Sequence, residues 1–368
     1  MSAIRDFFRR EPVLVIAALA AGVTCFFVPP DASYLGYLDL RTLALLYCLM
    51  TVVCGLRKAG LFSHLAHTLC EKAGNLRRIS LLLVLLCFFS AMLITNDVAL
   101  LTFVPFAVVV MGMAHHSREL VFVVVLQTIA ANLGSMLTPV GNPQNLYLYS
   151  RYDFAFGDFV RVTLPIWLLS LVLLVLLTLF VRSEKLALFL GEAPGMDKRM
   201  LLVYLALFGL CLLVVLRVLP WAAMLAVLLA VLLVYDRRIL LQADFLLLLT
   251  FVAFFIFSGN LARIPAVADA LRALMRGREY LVSLLASQVI SNVPAALLLS
   301  GFTDRARALL LGVNVGGLGT PIASLASLIA LKLYSHAEHA ETGRFLAVFT
   351  LLNAAFLLVL SAAAVALL

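Results

Sequence analysis

The stretch Asn132 to Leu146, NLGSMLTPVGNPQNL, lies without a gap over Asn314 to Leu328, NVGGLGTPIASLASL, at an offset of 182 residues. Asn132/Asn314, Gly134/Gly316, Thr138/Thr320, Pro139/Pro321 and Leu146/Leu328 are identical, while Ser135/Gly317 and Val140/Ile322 are close. A motif so rich in Gly, Pro and Asn interrupts regular backbone wherever it stands. A chain that carries it twice must accommodate the same interruption twice, which points to a fold made by duplication.

Each copy is embedded in apolar sequence. Of 368 residues, 64% are hydrophobic and 12% charged, and the mean hydropathy is +1.12. Soluble domains carry about 25% charged residues, so this is the composition of an integral membrane protein. The apolar runs are long and lack the alternation of barrel strands, and therefore read as helices crossing a hydrocarbon layer of roughly 30 Å. The predicted fold is all-α and polytopic. No small-residue cleavage pattern follows the first run, Pro12 to Pro29, and many spans come after it, so it reads as a retained span rather than a signal peptide. Cys25, Cys48, Cys54, Cys70, Cys87 and Cys211 contain no CxxC pair, and no disulfide or metal cluster is expected. The net charge of +8 falls between spans, where it sets topology, and nucleic acid is not an expected partner.

Counting spans gives an N-terminal span and loop (1–41), a first repeat (42–182), a cytoplasmic linker (183–199) and a second repeat (200–368). The basic RDFFRREP places the N-terminus in the cytoplasm, and the Lys/Arg-rich LRKAGLFSHLAHTLCEKAGNLRR returns to the same side. From about 79 to 113 the chain is apolar except at Thr95 to Asp97, which leaves two arms of about 16 residues, each short of the roughly 20 that a span needs. A re-entrant hairpin is the better reading; two ordinary spans with an external turn are the alternative. A broken helix follows at about 121–150, because irregular backbone in a bilayer is confined to places buried in protein or lining a cavity. The second half repeats the order, with a hairpin at about 281–301 broken at SNVP and a broken helix at about 308–332. GNLARIPAVADALRALMRGREY, before that hairpin, echoes CGLRKAGLFSHLAHTLCEKAG as a glycine followed by an amphipathic segment. Counted from a cytoplasmic N-terminus, the hairpins open from opposite sides, so the halves are inverted repeats, the usual construction of a secondary transporter site. Arg263, Arg272, Arg276 and Arg278 then lie outside, against the positive-inside rule.

Each interruption frees backbone N–H and C=O groups where water is scarce, ready to bind an ion or the oxygens of a solute. The side chains supplied there are small: Thr95, Asn96, Asn132, Thr138, Gly141, Asn142 and Asn145 in one half, Ser291, Asn292, Val293, Asn314, Gly319, Thr320 and Ser324 in the other. Asp97 is the only carboxylate deep in an apolar run. Burial favours the protonated form of a carboxyl and a nearby cation the charged form, so Asp97 is the candidate coupling residue, exchanging a proton for solute or Na⁺. A structural alternative is that Asp97 only caps the second arm of its hairpin. The pairs His64/His67 and His336/His339 have i,i+3 spacing but no matching Cys or carboxylate frame, and metal binding is not expected of them. Gln127 and Gln288, inside apolar arms, are expected to bond between helices rather than to solute.

NDVALLTFVP at the first hairpin, SNVPAALLL at the second and GTPIASLASLIALKL in the second broken helix resemble arsenite-efflux permeases of the ion-transporter superfamily. That superfamily also holds bacterial sodium/proton antiporters and citrate or divalent-anion permeases, and the similarity runs from CGLRKAGLF onward. The resemblance implies a scaffold with a mobile transport domain, a homodimer, and elevator-like movement across the bacterial inner membrane. It also implies that Asn96, Asp97, Gly141, Asn142, Ser291, Asn292, Gly319, Thr320 and Pro321 belong to substrate and ion sites, with possible Na⁺ near Asn96, Gly141, Asn292 and Gly319. Dicarboxylate members resemble Ser-Asn-Thr at both tips, whereas this chain has Thr95-Asn96-Asp97 and Ser291-Asn292-Val293, which argues against a large dicarboxylate.

The first functional reading is secondary active transport of a small anion or oxyanion, arsenite-like in its most specific form, coupled to H⁺ or Na⁺. The second is Na⁺/H⁺ antiport with Asp97 as the shared cation site. A channel or receptor needs no inverted pair of broken helices, and without a P-loop nothing points to ATP drive or to an enzyme. Beyond H⁺ or Na⁺ no cofactor is expected; the partners are a small solute and the lipid bilayer.

Overall fold

The computed structural model describes residues 11–113, 117–185, 193–337 and 340–368. Most of the basic N-terminal segment and the centre of the linker therefore lie outside the described residues. Those that are described form helices and no strand, with one isolated bridge between Asn75 and Lys185. Seven helices among them are long and apolar enough to cross a membrane.

In chain order these are α1 (Pro12–Phe27), α2 (Leu40–Lys58), α3 (Leu61–Glu71), α4 (Leu76–Ile94), α5 (Asn96–Met113), α6 (Ser117–Gly134), α7 (Pro143–Arg151) and α8 (Phe156–Thr178). Then come α9 (Lys198–Val215), α10 (Trp221–Tyr235), α11 (Phe245–Ala262), α12 (Pro265–Met275), α13 (Glu279–Ile290), α14 (Asn292–Leu299), α15 (Ala306–Val315), α16 (Leu325–Ser335) and α17 (Thr342–Leu367). The order from α2 to α8 recurs from α11 to α17: a long helix, a short amphipathic one, a hairpin of two arms, a helix in two pieces, and a closing span. The echo of a glycine before each amphipathic helix has a packing reason. A side chain at Gly55 would strike the ring of Tyr204, and one at Gly259 the ring of Tyr37.

Packing ties the helices together pairwise, and α11 also lies against α14. α1 lies against α11, and α2 against α9 and α10; α4 and α5 pack on each other and on α6, α16 packs on α5, and α13 packs on α14 and α15. The core helix is α6: across its span, Glu119–Leu137, 89% of residues are buried, against 28% in α8 and α17, whose apolar faces are left for lipid. An apolar helix covered all round by protein needs no lipid face, so α6 is free to carry Gln127, Thr128 and Asn132 into the interior.

Two expectations change in detail. The arms of the first hairpin are 19 and 18 residues rather than about 16, because Asn75 caps α4 through a bond from Arg77 N and the helix runs through Leu76 to Arg78. α4 is thus long enough to cross a bilayer. The tip is nevertheless inside the fold, since Asn96 is 5% exposed and bonds to α6. The second span continues to Lys58 instead of ending near Cys54, and there Lys58 meets Asp236 at 2.6 Å. Arg263 is held by Asp31 at 2.8 Å and donates to Ser33 Oγ and Tyr37 OH, so its charge is neutralised by the loop after α1.

Candidate functional site

Both breaks are closed by amides. α6 ends at Gly134, one 3-10 turn runs from Ser135 to Leu137, and α7 restarts at Pro143, whose missing N–H is no loss in a first turn. Asn142 caps α7 by accepting from Asn145 N at 3.0 Å. Asn145 Nδ2 donates to the carbonyls of Ser135, Met136 and Thr138, each at 3.3 Å, satisfying acceptors that the break frees. In the second half α13 does this work. Gln288 Nε2 donates to the carbonyls of Gly316 at 2.8 Å and Leu318 at 2.9 Å, while its Oε1 accepts from Thr320 N at 3.0 Å.

The breaks then meet each other. Asn132 Oδ1 accepts from Asn96 Nδ2 at 3.1 Å and from Ser324 Oγ at 2.8 Å, joining the first tip to both broken helices. Asn314 Nδ2 donates to Asn145 Oδ1 at 2.7 Å, and Asn142 Nδ2 donates to Ser135 Oγ at 3.0 Å and Asn314 Oδ1 at 3.4 Å. The second tip is fixed through Asn292, whose N–H donates to Ala323 O at 2.9 Å and whose Oδ1 accepts from Val293 N at 2.9 Å. Ser291 Oγ donates to Ala323 O at 3.4 Å.

Beside this network lies a cavity of about 250 Å³. Thr95 and Asp97 from the first tip, Asn142 and Pro143 from the break, and Leu325 and Ile329 from α16 line it on one side. α2 contributes Leu46 through Arg57 on the other, and Gln242, Asp244 and Leu247 at the start of α11 complete it. Its charged lining is thus Arg57, Asp97 and Asp244. Arg57 and Asp244 are exposed, whereas Asp97 Oδ1 is buried and has no hydrogen-bond partner. Asp97 N is capped by Asn96 Oδ1 at 3.0 Å, so its own carboxylate is not the cap of α5.

The predicted residues therefore separate. Thr95, Asp97 and Asn142 line the cavity; Asn96, Asn132, Asn145, Asn314 and Ser324 form the bonds behind it. Thr138 donates its hydroxyl to Met92 O, and Gly141 presses on Ser135 O so closely that a side chain would clash. Gly319 and Thr320 stand apart from the cavity, with Thr320 exposed and tied to Gln288. Gln127 donates to Phe103 O at 3.2 Å, an interhelical bond as expected. His64 Nδ1 bonds Pro194 O and His336 Nδ1 bonds Lys332 O, while His339 lies outside the described residues. Sequence reasoning missed Arg57 and Asp244, which stand near span ends among other charges, and Gln144, which sits inside the repeated motif itself.

A citrate transporter family model matches residues 7–306. An uncharacterized transporter of Methanocaldococcus jannaschii is 30% identical over 328 residues, 88% of each chain. The inner membrane protein YbiR of Escherichia coli is 31% identical over 316 residues, 84% of each chain. The silicon efflux transporter LSI3 of Oryza sativa is 30% identical over 138 residues, 38% of this chain and 28% of that protein. Among solved structures the YdaH transporter of Alcanivorax borkumensis, described as having an unusual topology, superposes with a TM-score of 0.51 at 14% identity, covering 90% of this chain and 86% of the other. With a family match over most of its length and relatives of nearly full coverage, the chain belongs to the citrate transporter family of membrane transporters.

Proposed function

We propose that the protein is a secondary active transporter of a small oxyanion or its undissociated oxyacid, coupled to H⁺ or Na⁺ through Asp97, in a bacterial inner membrane. One observation carries the reading. A carboxylate with a buried, unpartnered oxygen faces a cavity at the meeting of two broken helices, among amides and hydroxyls that bind solute oxygens without regard to charge. The deep end of the cavity has no cation to hold a citrate-like polyanion, and Arg57 stands at its exposed rim. An uncharged hydroxylated acid such as arsenous or orthosilicic acid fits that lining, and the partial likeness to a silicon efflux transporter supports this class.

Transport follows from which groups are occupied. Solute enters the cavity and bonds to Thr95 and Asn142, and Asp97 takes or gives up its proton as the solute arrives. The group made of the hairpins and broken helices then moves against α2 and α11, as an elevator, the end of the second hairpin parting from α7 on the far side, and the protein works as a homodimer with its N-terminus in the cytoplasm. The single deep acid also favours a second reading, Na⁺/H⁺ antiport, since one carboxylate binds either cation.

Purified protein in proteoliposomes with an internal pH dye separates the two. Na⁺, arsenite, orthosilicic acid, sulfate and citrate are added in turn, with Asp97→Asn beside the wild type. A proton flux that requires one oxyacid or anion supports the first reading. Flux set off by Na⁺ alone, and lost in Asp97→Asn, overturns it in favour of antiport.

A further inference from the structure

α7 restarts beside the cavity and presents two faces. Asn142, Pro143 and Leu146 turn to the cavity. Gln144 and Tyr147, three residues apart and so neighbours along the helix, belong to another. The Tyr147 hydroxyl shares a hydrogen bond of 2.8 Å with Ser300 Oγ, and its ring stands 5.5 Å from that of Phe255 on α11. Tyr152 OH donates to Ser300 O at 3.2 Å and Thr303 O at 2.8 Å, and Ser258 Oγ donates to Leu298 O at 3.3 Å. The end of α14 is thereby clamped between α7 and α11. The cavity reaches only the start of α11, at Leu247, and Ser258 lies about 16 Å further along that helix at its usual rise. None of the clamp residues lines the cavity.

Gln144 lies one turn from the clamp. It is 1% exposed, and neither its Oε1 nor its Nε2 has a hydrogen-bond partner. No other side chain among the described residues has both terminal atoms buried in this way. Leaving an amide unbonded at both ends is unfavourable, and leucine would fill the space without that loss. A polar group kept inside a membrane protein against that cost is by default a candidate for function.

We propose that Gln144 is a solute-binding residue of the opposite conformation, in which the Tyr147–Ser300 clamp has parted and the path is open on the far side. The amide carries donors and an acceptor and no charge, so it suits the hydroxyl groups of an uncharged oxyacid. This inference rests on the transporter reading given above.

The test labels Gln144→Cys and, as the marker of the cavity side, Arg57→Cys in vesicles of both orientations with a membrane-impermeant maleimide. Peptide mass mapping leaves the native cysteines in place, and Cys87, fully buried, is the internal reference. Gln144→Cys is expected to react from the side opposite to Arg57→Cys, at about ten times the rate of Cys87 or more, as a transiently opened site does. Adding Tyr147→Phe removes one bond of the clamp and raises that rate about threefold. Orthosilicic acid, used as the probe solute, slows it about fivefold. Labelling no faster than Cys87, labelling from the Arg57 side, or no protection by orthosilicic acid in vesicles that transport it overturns the assignment.

Should Gln144→Cys fail to assemble, Gln144→Leu is measured by proton flux from each side. Half-saturation on the far side is expected to rise about tenfold; on the cavity side it changes less than about twofold while the maximal rate falls, because the transport cycle must close. Equal changes on both sides overturn the proposal. A wild type without flux on orthosilicic acid defeats the transporter reading for that solute, whereas the side from which Gln144→Cys reacts is read independently.

Discussion

Thr95 and Ser291, at the two hairpin tips, share one backbone conformation, with φ 71° and ψ 151° in the first and φ 72° and ψ 155° in the second. This region is nearly confined to glycine and costs about 1–3 kcal/mol for other residues. Each strained residue is followed by an asparagine whose Oδ1 accepts from the next N–H, Asp97 N at 3.0 Å and Val293 N at 2.9 Å. The tips are thus the same device, one armed with a carboxylate and the other with an isopropyl group. Thr95→Gly and Ser291→Gly are expected to keep or raise thermal stability in detergent, by up to about 1 kcal/mol, once the entropy of the unfolded glycine is subtracted. Transport by Thr95→Gly falls because the tip is less firmly posed. A loss of stability in both variants would show that the hydroxyls, not the backbone, decide.

Asn132 bonds the first tip and the second broken helix through one oxygen. Asn132→Leu leaves Asn96 Nδ2 and Ser324 Oγ without their acceptor, and a loss of about 2–4 kcal/mol is expected from two orphaned groups. The measurement is denaturant or thermal unfolding in detergent beside Asn353→Leu. Asn353 on α17 makes one bond, from its Nδ2 to Phe349 O, and leaves no comparable partners behind. Similar losses in the two variants would deny Asn132 its joining role.

Gln288 and Gln127 make a second comparison. Gln288 braces two carbonyls and one N–H of the second break, whereas Gln127 donates once, to Phe103 O. Gln288→Leu is expected to be less stable than Gln127→Leu by about 1–3 kcal/mol, the cost of the additional buried groups left unpaired. Parallel melts of the two proteins check it.

Asp31 gives a dependence on pH. The Arg263 guanidinium, then Ser33, hold its carboxyl down to about 2 from an ordinary 3.8. Because the folded value lies below the unfolded one, the stabilisation is complete above about pH 5 and disappears as pH falls from about 4 through 2. The pair is exposed, so the effect is small and screened by salt. The melting difference between wild type and Asp31→Asn is expected to stay constant from pH 8 to 5 and to close toward pH 2. A difference that persists at pH 2 would assign it to packing.

Much of this was readable in the residues. Gly, Pro and Asn at matched positions locate both breaks, and Thr95 to Asp97 and Ser291 to Pro294 locate both tips, because the chemistry that ends a helix is local. Helix ends set by tertiary contacts were not readable: α2 runs on to Lys58, where Asp236 waits just past the end of α10. Asn145 and Thr138 look like ligands in the sequence, yet the structure commits the Thr138 hydroxyl and the Asn145 amide nitrogen to backbone carbonyls and the Asn145 oxygen to Asn314. Gln144 was missed for the opposite reason, since what distinguishes it is the lack of any bond.

The hydrogen bond from Ser324 to Asn132 joins residues 192 positions apart in the chain, and this sets an order of events at the ribosome. At about 5–20 residues per second, Asn132 waits on the order of ten to forty seconds in the membrane before its second partner is made. The nascent first half must therefore hold an incomplete polar centre, shielded by α4, α5 and α8, until the second half arrives to complete it.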